Sequence, residues 1–423
     1  MTAGLKLYAG LMRLLHGIAP GLLKGRVAKG KEDAVRWPER LGKTTTQRPD
    51  GPIVWFHGVS VGESLSALPV VERLRIERPD LRVVLTTATT TSAEILAKRM
   101  PGDVLHQFAP IDTPQAAQAF LDHWRPSLAV FIESDIWPNL LNGLTQRGVP
   151  HALLSARITE KTYGGWQSWR GAMRKVLSGY GLVMAQDRDS DQRLTAMGVT
   201  TAPMANLKTL GLPLNVDETA LSALDALTGE RRVILAASTH YGEDTLIAHA
   251  LEAYVRDGDL LILVPRHPIK APDIRIDIEA LGLHVAQRSL KEPLAPSTQV
   301  YLADTLGELG LFFSLADIVI MGGSFQSGVG GHNPLEPARL GKSVITGPDL
   351  YNWRGIFDEL IEAGGAFRVE EAADLGFLVG ELRQKPEAIA VADQNARDVS
   401  RREAGTLDRV WSALSPLLPE PTP

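Results

Sequence analysis

From Gly51 onward the chain alternates short, mostly apolar runs with segments of helix length, and it does so twice. Residues 53–59, 82–87, 128–132, 152–155 and 182–185 form the first series, and 233–237, 260–264, 300–303, 318–321 and 344–346 the second. Runs this short, apolar at successive positions, have no solvent face. They are expected as strands buried in a parallel sheet, with the intervening segments as crossover helices. Residues 206–216 have the Gly and Pro content of a linker between the halves. The pattern predicts an α/β fold of two Rossmann-like, doubly wound domains, with ligands in a cleft lined by the carboxyl ends of the strands. Such a fold by itself selects no function.

The first 31 residues are different. Leu7, Leu11, Leu14, Leu15 and Ile18 recur at helical spacing, and Pro20 is expected to end or kink that helix. Lys6, Arg13, Lys24, Arg26, Lys29 and Lys31 are accompanied by no acid, so this segment carries +6. The net charge of the whole chain is -5, which leaves -11 on the remainder. A basic end on an acidic body argues against a nucleic-acid binder and suits attachment to an anionic membrane. The apolar run is too short for the ~20 residues that span a bilayer, so the expectation is a helix lying in the interface. The alternative is an ordinary packed helix of the first domain. The chain has no cysteine, which excludes disulfides and thiolate metal sites and fits a reducing cytoplasm.

Five stretches carry chemistry. In His57-Gly58-Val59-Ser60-Val61-Gly62-Glu63, Glu63 falls near the start of the helix after the first strand. A carboxylate there can take a proton from a sugar hydroxyl, or it can simply complete a capping box. In Glu133-Ser134-Asp135-Ile136-Trp137-Pro138-Asn139, two carboxylates stand at a strand end, either turned together toward a ligand or capping a helix. Lys208, in Asn206-Leu207-Lys208, is either a solvated linker lysine or a group that reaches the cleft. Pro265-Arg266-His267-Pro268 follows a strong strand, and Arg266 suits a phosphate. The glycine-rich stretch from Gly322-Gly323-Ser324 to Gly331-His332-Asn333-Pro334-Leu335-Glu336-Pro337 can bring backbone amides close to a ligand, with Glu336 accepting hydrogen bonds from ribose hydroxyls. No spacing of His, Asp or Glu reads as a metal site, and no cofactor is expected.

In this order the motifs resemble the Kdo (3-deoxy-D-manno-oct-2-ulosonic acid) transferases of lipopolysaccharide synthesis, across nearly the whole chain. Further stretches in the resemblance are Arg36-Trp37-Pro38-Glu39-Arg40-Leu41-Gly42, Ser155-Ala156-Arg157, Ala236-Ala237-Ser238-Thr239-His240 and Asp304-Thr305-Leu306-Gly307-Glu308-Leu309. The resemblance implies a GT-B fold: a membrane-associating segment 1–31, an acceptor-binding domain 32–210, and a CMP-Kdo-binding domain 211–423 that includes the C-terminal helix. It implies transfer of Kdo from CMP-Kdo to a lipid A precursor at the cytoplasmic face of the inner membrane, by direct displacement. Glu63 is implied as the base, and Glu133 and Lys208 as stabilisers of the transition state. Pro265, Arg266, Leu306, Gly307, Glu308, Asn333, Pro334, Leu335 and Glu336 are implied to hold CMP. Three departures stand out: Gly58 in place of Ser or another small residue, Ser134-Asp135-Ile136 in place of Thr-Glu-Leu, and a long glycine-rich loop. The competing readings are a GT-B transferase or epimerase acting on a UDP-sugar, and a non-catalytic lipid-binding scaffold.

Overall fold

The computed structural model describes residues 2–133, 136–210 and 214–421, in two units: Met1–Gly211 with Gly405–Pro423, and Leu212–Ala404. Asp135, the second carboxylate of its motif, lies outside the described residues together with Ser134 and with 211–213 of the expected linker.

The first unit is built on six parallel strands: β1 (Ile53–His57), β2 (Arg82–Thr87), β3 (Leu105–Phe108), β4 (Leu128–Ile132), β5 (His151–Ala156) and β6 (Leu182–Ala185). Their order is β3-β2-β1-β4-β5-β6. Alternate side chains serve two cores. Trp55, Phe131 and Leu153 pack on one face of the sheet, and Val54, Phe56, Val130 and Leu154 on the other. This explains why the strands read as continuous apolar runs. Chain order reverses between β1 and β4, and a doubly wound sheet opens a binding crevice at the carboxyl ends of such a pair.

The second unit has seven parallel strands: β7 (Val233–Thr239), β8 (Leu260–Pro265), β9 (Val285–Gln287), β10 (Val300–Leu302), β11 (Ile318–Met321), β12 (Val344–Thr346) and β13 (Ala366–Arg368). The order is β13-β12-β11-β7-β8-β10-β9, so the reversal falls between β7 and β11.

Three expectations change. The helix Ala3–Ala28 runs through Pro20, which excludes an end there, one of the two outcomes expected. Ala19 and Leu23 pack with Leu41, Trp37 and Ile111, and this packing carries the helix past the missing backbone donor. The C-terminal helix, Thr406–Leu414, belongs to the first unit rather than the second. Its Val410, Trp411 and Leu414 enter the core of the helix Val61–Glu77, and Trp411 Nε1 donates to Glu77 at 3.0 Å. Of the expected linker, Leu207–Leu210 forms a 3-10 turn in that same core, with Leu207 buried.

The Arg36–Gly42 motif is architectural. Arg40 is buried against Glu32, with Nη2 to Oε1 at 2.9 Å, and donates to the carbonyls of Thr87, Ala88 and Ala109. Glu39 accepts the N–H of Phe108 at 2.7 Å. The motif therefore ties off the carboxyl ends of β2 and β3.

Candidate functional site

In the first unit the expected residues gather at the β1/β4 reversal. Ser60 caps the helix Val61–Glu77, its hydroxyl accepting the N–H of Glu63 at 3.3 Å. The Glu63 carboxylate folds back, Oε2 accepting from the N–H of Val59 (2.7 Å) and Oε1 from the Ser60 hydroxyl (2.8 Å). This is a capping box that has moved one residue outward. It also fixes a half-exposed carboxylate at the mouth of the reversal with lone pairs to spare. The capping and catalytic readings are thus compatible in geometry.

Glu133, one residue past β4, is 6% exposed and sits in the left-handed region at φ 63°. Such a conformation costs a non-glycine residue on the order of 1–3 kcal/mol and persists only where the surroundings enforce it. Its N–H is bonded to the carbonyl of Leu154 at 3.0 Å. Lys208 Nζ lies 2.7 Å from Glu133 Oε1, an ion pair whose alignment falls short of a hydrogen bond. The 3-10 turn that brings Lys208 in is held at its start by Leu207 N–H to the hydroxyl of Ser155, itself left-handed at φ 55° where the β5–β6 register shifts. Lys208 is therefore no solvated linker residue. At the end of β1, His57 is buried with Nδ1 2.8 Å from the Thr86 hydroxyl, and burial pushes its pKa down to about 3, so the ring is neutral.

In the second unit Arg266 follows β8, its N–H on the Thr239 carbonyl at 2.8 Å. Its guanidinium is exposed and has no ion-pair partner among the described residues, which suits it to an anionic ligand. His240 and His332 lie side by side, Nε2 to Nε2 at 3.1 Å, with His267 edge-on to His240. Burial and the nearby Arg266 charge hold the His332 pKa down to about 4. The Asn333 Oδ1 accepts the N–H of Leu335, which starts the short helix Leu335–Arg339 on Pro334. Glu336 is half-buried, and among the described residues its carboxylate accepts a long 3.5 Å bond from the Asn333 side chain. Burial raises its pKa above the usual carboxylate value, as expected of an acceptor with few donors.

Pro265 closes β8, and Leu306, Gly307 and Glu308 follow β10, its neighbour in the sheet. Leu306 is 83% exposed. The Glu308 carboxylate is held by Arg288, with Nε to Oε2 at 2.7 Å, and by the Thr305 hydroxyl. Hydrogen bonding from Arg288, with Thr305 and the Arg288 charge adding to it, keeps the Glu308 carboxyl below its ordinary pKa. Any role of Glu308 toward a ligand is thus exercised through a carboxylate already engaged. Sequence reading passed over Glu243, which lies beside His240 and is wholly buried. The available signal was the repeat of Gly62-Glu63 as Gly242-Glu243, each placed after the first strand of its unit.

Residues 35–210 match the family model described as 3-deoxy-D-manno-octulosonic-acid transferase (kdotransferase). The chain is 31% identical to a probable mitochondrial 3-deoxy-D-manno-octulosonic acid transferase of Arabidopsis thaliana, over 98% of this chain and 97% of the other. It is 31% identical to the 3-deoxy-D-manno-octulosonic acid transferase of Haemophilus influenzae, over 89% of each. Among solved structures it resembles a glycosyltransferase from Rickettsia africae, with a TM-score of 0.61 at 13% identity, covering 88% of this chain and 100% of that one. At that identity the likeness speaks to the fold alone, and it agrees with a GT-B type. With a relative 31% identical over 98% of this chain and 97% of its own length, the chain belongs to the Kdo transferase family of glycosyltransferases.

Proposed function

We propose that this enzyme transfers Kdo from CMP-Kdo to a hydroxyl of a lipid A precursor of the lipid IVA type, in lipopolysaccharide core synthesis. The observation that carries the reading is the split of chemistry between the units. A fixed carboxylate and a buried Glu133 paired with the half-buried Lys208 stand at one strand reversal, and Arg266, without an ion-pair partner among the described residues, stands with the acceptor Glu336 at the other. The first set suits proton removal from an acceptor, and the second suits the phosphate and ribose of a nucleotide. In the proposed step the acceptor oxygen bonds to the anomeric carbon while Glu63 takes its proton. The bond from that carbon to the phosphate oxygen breaks, and CMP leaves with the electron pair. Arg266 eases the charge on CMP, and Lys208, held by Glu133, stabilises the transition state.

Mass spectrometry of a tetraacylated lipid A precursor incubated with CMP-Kdo tests the reading. Addition of Kdo supports it, and turnover of a UDP-sugar in its place rejects it. In titration calorimetry, Arg266→Ala should weaken CMP binding about tenfold or more, as loss of a charged hydrogen bond does. Unchanged affinity in the folded variant removes Arg266 from the donor site.

We further propose that the helix Ala3–Ala28 lies on the cytoplasmic face of the inner membrane. No helix among the described residues is long and apolar enough to cross a membrane. The helix buries Leu5, Ala19 and Leu23 but leaves Leu7, Leu11, Leu14, Leu15, Ile18 and Leu22 exposed, Leu14 at 76%. Such a stripe fits an anionic lipid surface, on a segment with six cations and no acid among residues 1–31, of which only Arg26 forms an ion pair among the described residues, with Glu32 at 3.3 Å. Changing Leu7, Leu11, Leu14 and Ile18 together to serine spares the packed face. Co-sedimentation with anionic vesicles should then fall sharply, and the binding of the unaltered chain should weaken with salt. Equal sedimentation of the two proteins would place the anchor elsewhere.

A further inference from the structure

Two amides of the glycine-rich loop are already taken by an internal anion. Glu243 is 0% exposed, and no cationic side chain among the described residues forms an ion pair with it. Its Oε2 accepts the N–H of Gly323 at 2.6 Å and of His240 at 2.9 Å, and its Oε1 accepts that of Phe325 at 2.8 Å. A buried carboxylate held by backbone N–H groups alone offsets its desolvation through oriented dipoles, so those dipoles are held in place in return. Here they belong to two loops, the one after β7 and the one after β11, which meet at the strand reversal.

The same loops are joined a second time by His240 and His332, whose parallel rings lie 5.3 Å apart. Gly323 makes this approach possible. It is left-handed at φ 71°, and a Cβ there would come within 2.8 Å of the His332 ring. The carbonyl of Gly323 then accepts the N–H of Gly331 at 2.8 Å, closing the loop just before Asn333 and Glu336.

We propose that Glu243 is a positioning residue for the nucleotide donor. It fills the amide nest of the glycine-rich loop with a carboxylate of the chain itself, so that His332, Asn333 and Glu336 stand in their binding arrangement before any nucleotide arrives. The inference rests on the reading of the second unit as the donor side. Without Glu243 the loop samples other arrangements, and apparent affinity falls by the fraction of time spent away from the competent one.

The test is CMP calorimetry and steady-state transfer on the full chain carrying Glu243→Gln, in which an amide N–H₂ faces backbone N–H groups. CMP affinity should fall about tenfold, with KM for CMP-Kdo rising in proportion and kcat within about twofold. Glu39→Gln is the control: it loses a buried carboxylate on a backbone N–H in the first unit. It shares the loss of stability but should leave CMP binding unchanged. If folded Glu243→Gln binds CMP within about twofold of the parent protein, or loses no more affinity than Glu39→Gln, the proposal is overturned. If Glu243→Gln does not fold, Gly323→Ala displaces the same loop with Glu243 in place. A loss of CMP affinity there supports the proposal, and parental affinity overturns it. Failure of the unaltered protein itself to bind CMP takes down the donor reading and the inference with it.

Discussion

Glu63→Gln is expected to lose about a hundred- to ten-thousand-fold in transfer rate, the usual contribution of a general base, while CMP affinity and melting temperature stay near those of the parent. The capping box makes the two effects separable. The amide side chain of this variant can still accept from the N–H of Val59 with its oxygen and donate to the Ser60 hydroxyl with its nitrogen, replacing the bonds of 2.7 and 2.8 Å. The cap should therefore cost no more than about 1 kcal/mol. An amide cannot take the acceptor's proton, so the loss should appear in kcat. Glu63→Asp should recover little, because a shorter side chain withdraws the carboxylate from the attacking hydroxyl. Melting and single-turnover transfer measured on one sample decide the matter. A variant of lower melting temperature that transfers Kdo at a near-normal rate would leave Glu63 as a cap and nothing more.

The second large effect is expected at Glu133. Asparagine tolerates the left-handed backbone better than other non-glycine residues, so Glu133→Asn should keep the φ of 63° without added strain. It loses the charge that holds Lys208 at 2.7 Å. With Lys208 partly open to solvent, the stability cost should stay within about 1–2 kcal/mol, below that of breaking a fully buried pair. Transfer should fall by about a hundredfold or more, as when a preorganised charge loses its position. Lys208→Met should do the same, and the double variant should be little worse than either single, because the pair acts as a unit. Additive losses would show that the two residues act separately.

Most of the fold was legible because buried parallel strands write themselves as apolar runs. β2, β4, β6, β11 and β12 have the limits expected, and the other anticipated strands differ at their ends. The three strands not anticipated, β3, β9 and β13, are three of the four sheet edges; the fourth, β6, is an apolar run, Leu-Val-Met-Ala, and was legible. Leu-His-Gln-Phe, Val-Ala-Gln and Ala-Phe-Arg are short and carry polar residues, because an edge strand has one pairing neighbour and less to bury. Local pattern contained no sign that the C-terminal helix, an amphipathic segment like others, returns to the first unit. That placement depends on the groove beside Val61–Glu77 into which Trp411 fits.

The sites divide in the same way. Spacing along the chain was enough to place Glu63, Glu133, Arg266 and Asn333–Glu336 after strands, since the end of an apolar run marks where a loop must begin. Local sequence could not distinguish Glu63 from Glu243, each preceded by glycine at the first turn of a helix. What separates them is tertiary. Among the described residues the Glu63 carboxylate bonds to its own loop alone, and it stays half open. Glu243 is enclosed because the strand beside β7 is β11, whose loop brings two more amides onto it. Likewise, that Lys208 is an ion-pair partner and not a linker lysine follows from a turn docked against Ser155, 52 residues away in sequence. The sequence alone determined where strands end and which chemistries stand there, because burial and chain reversal are local demands. Only the tertiary structure decided which carboxylate stays half open and which is enclosed by the amides of a second loop, because that depends on which strands become neighbours.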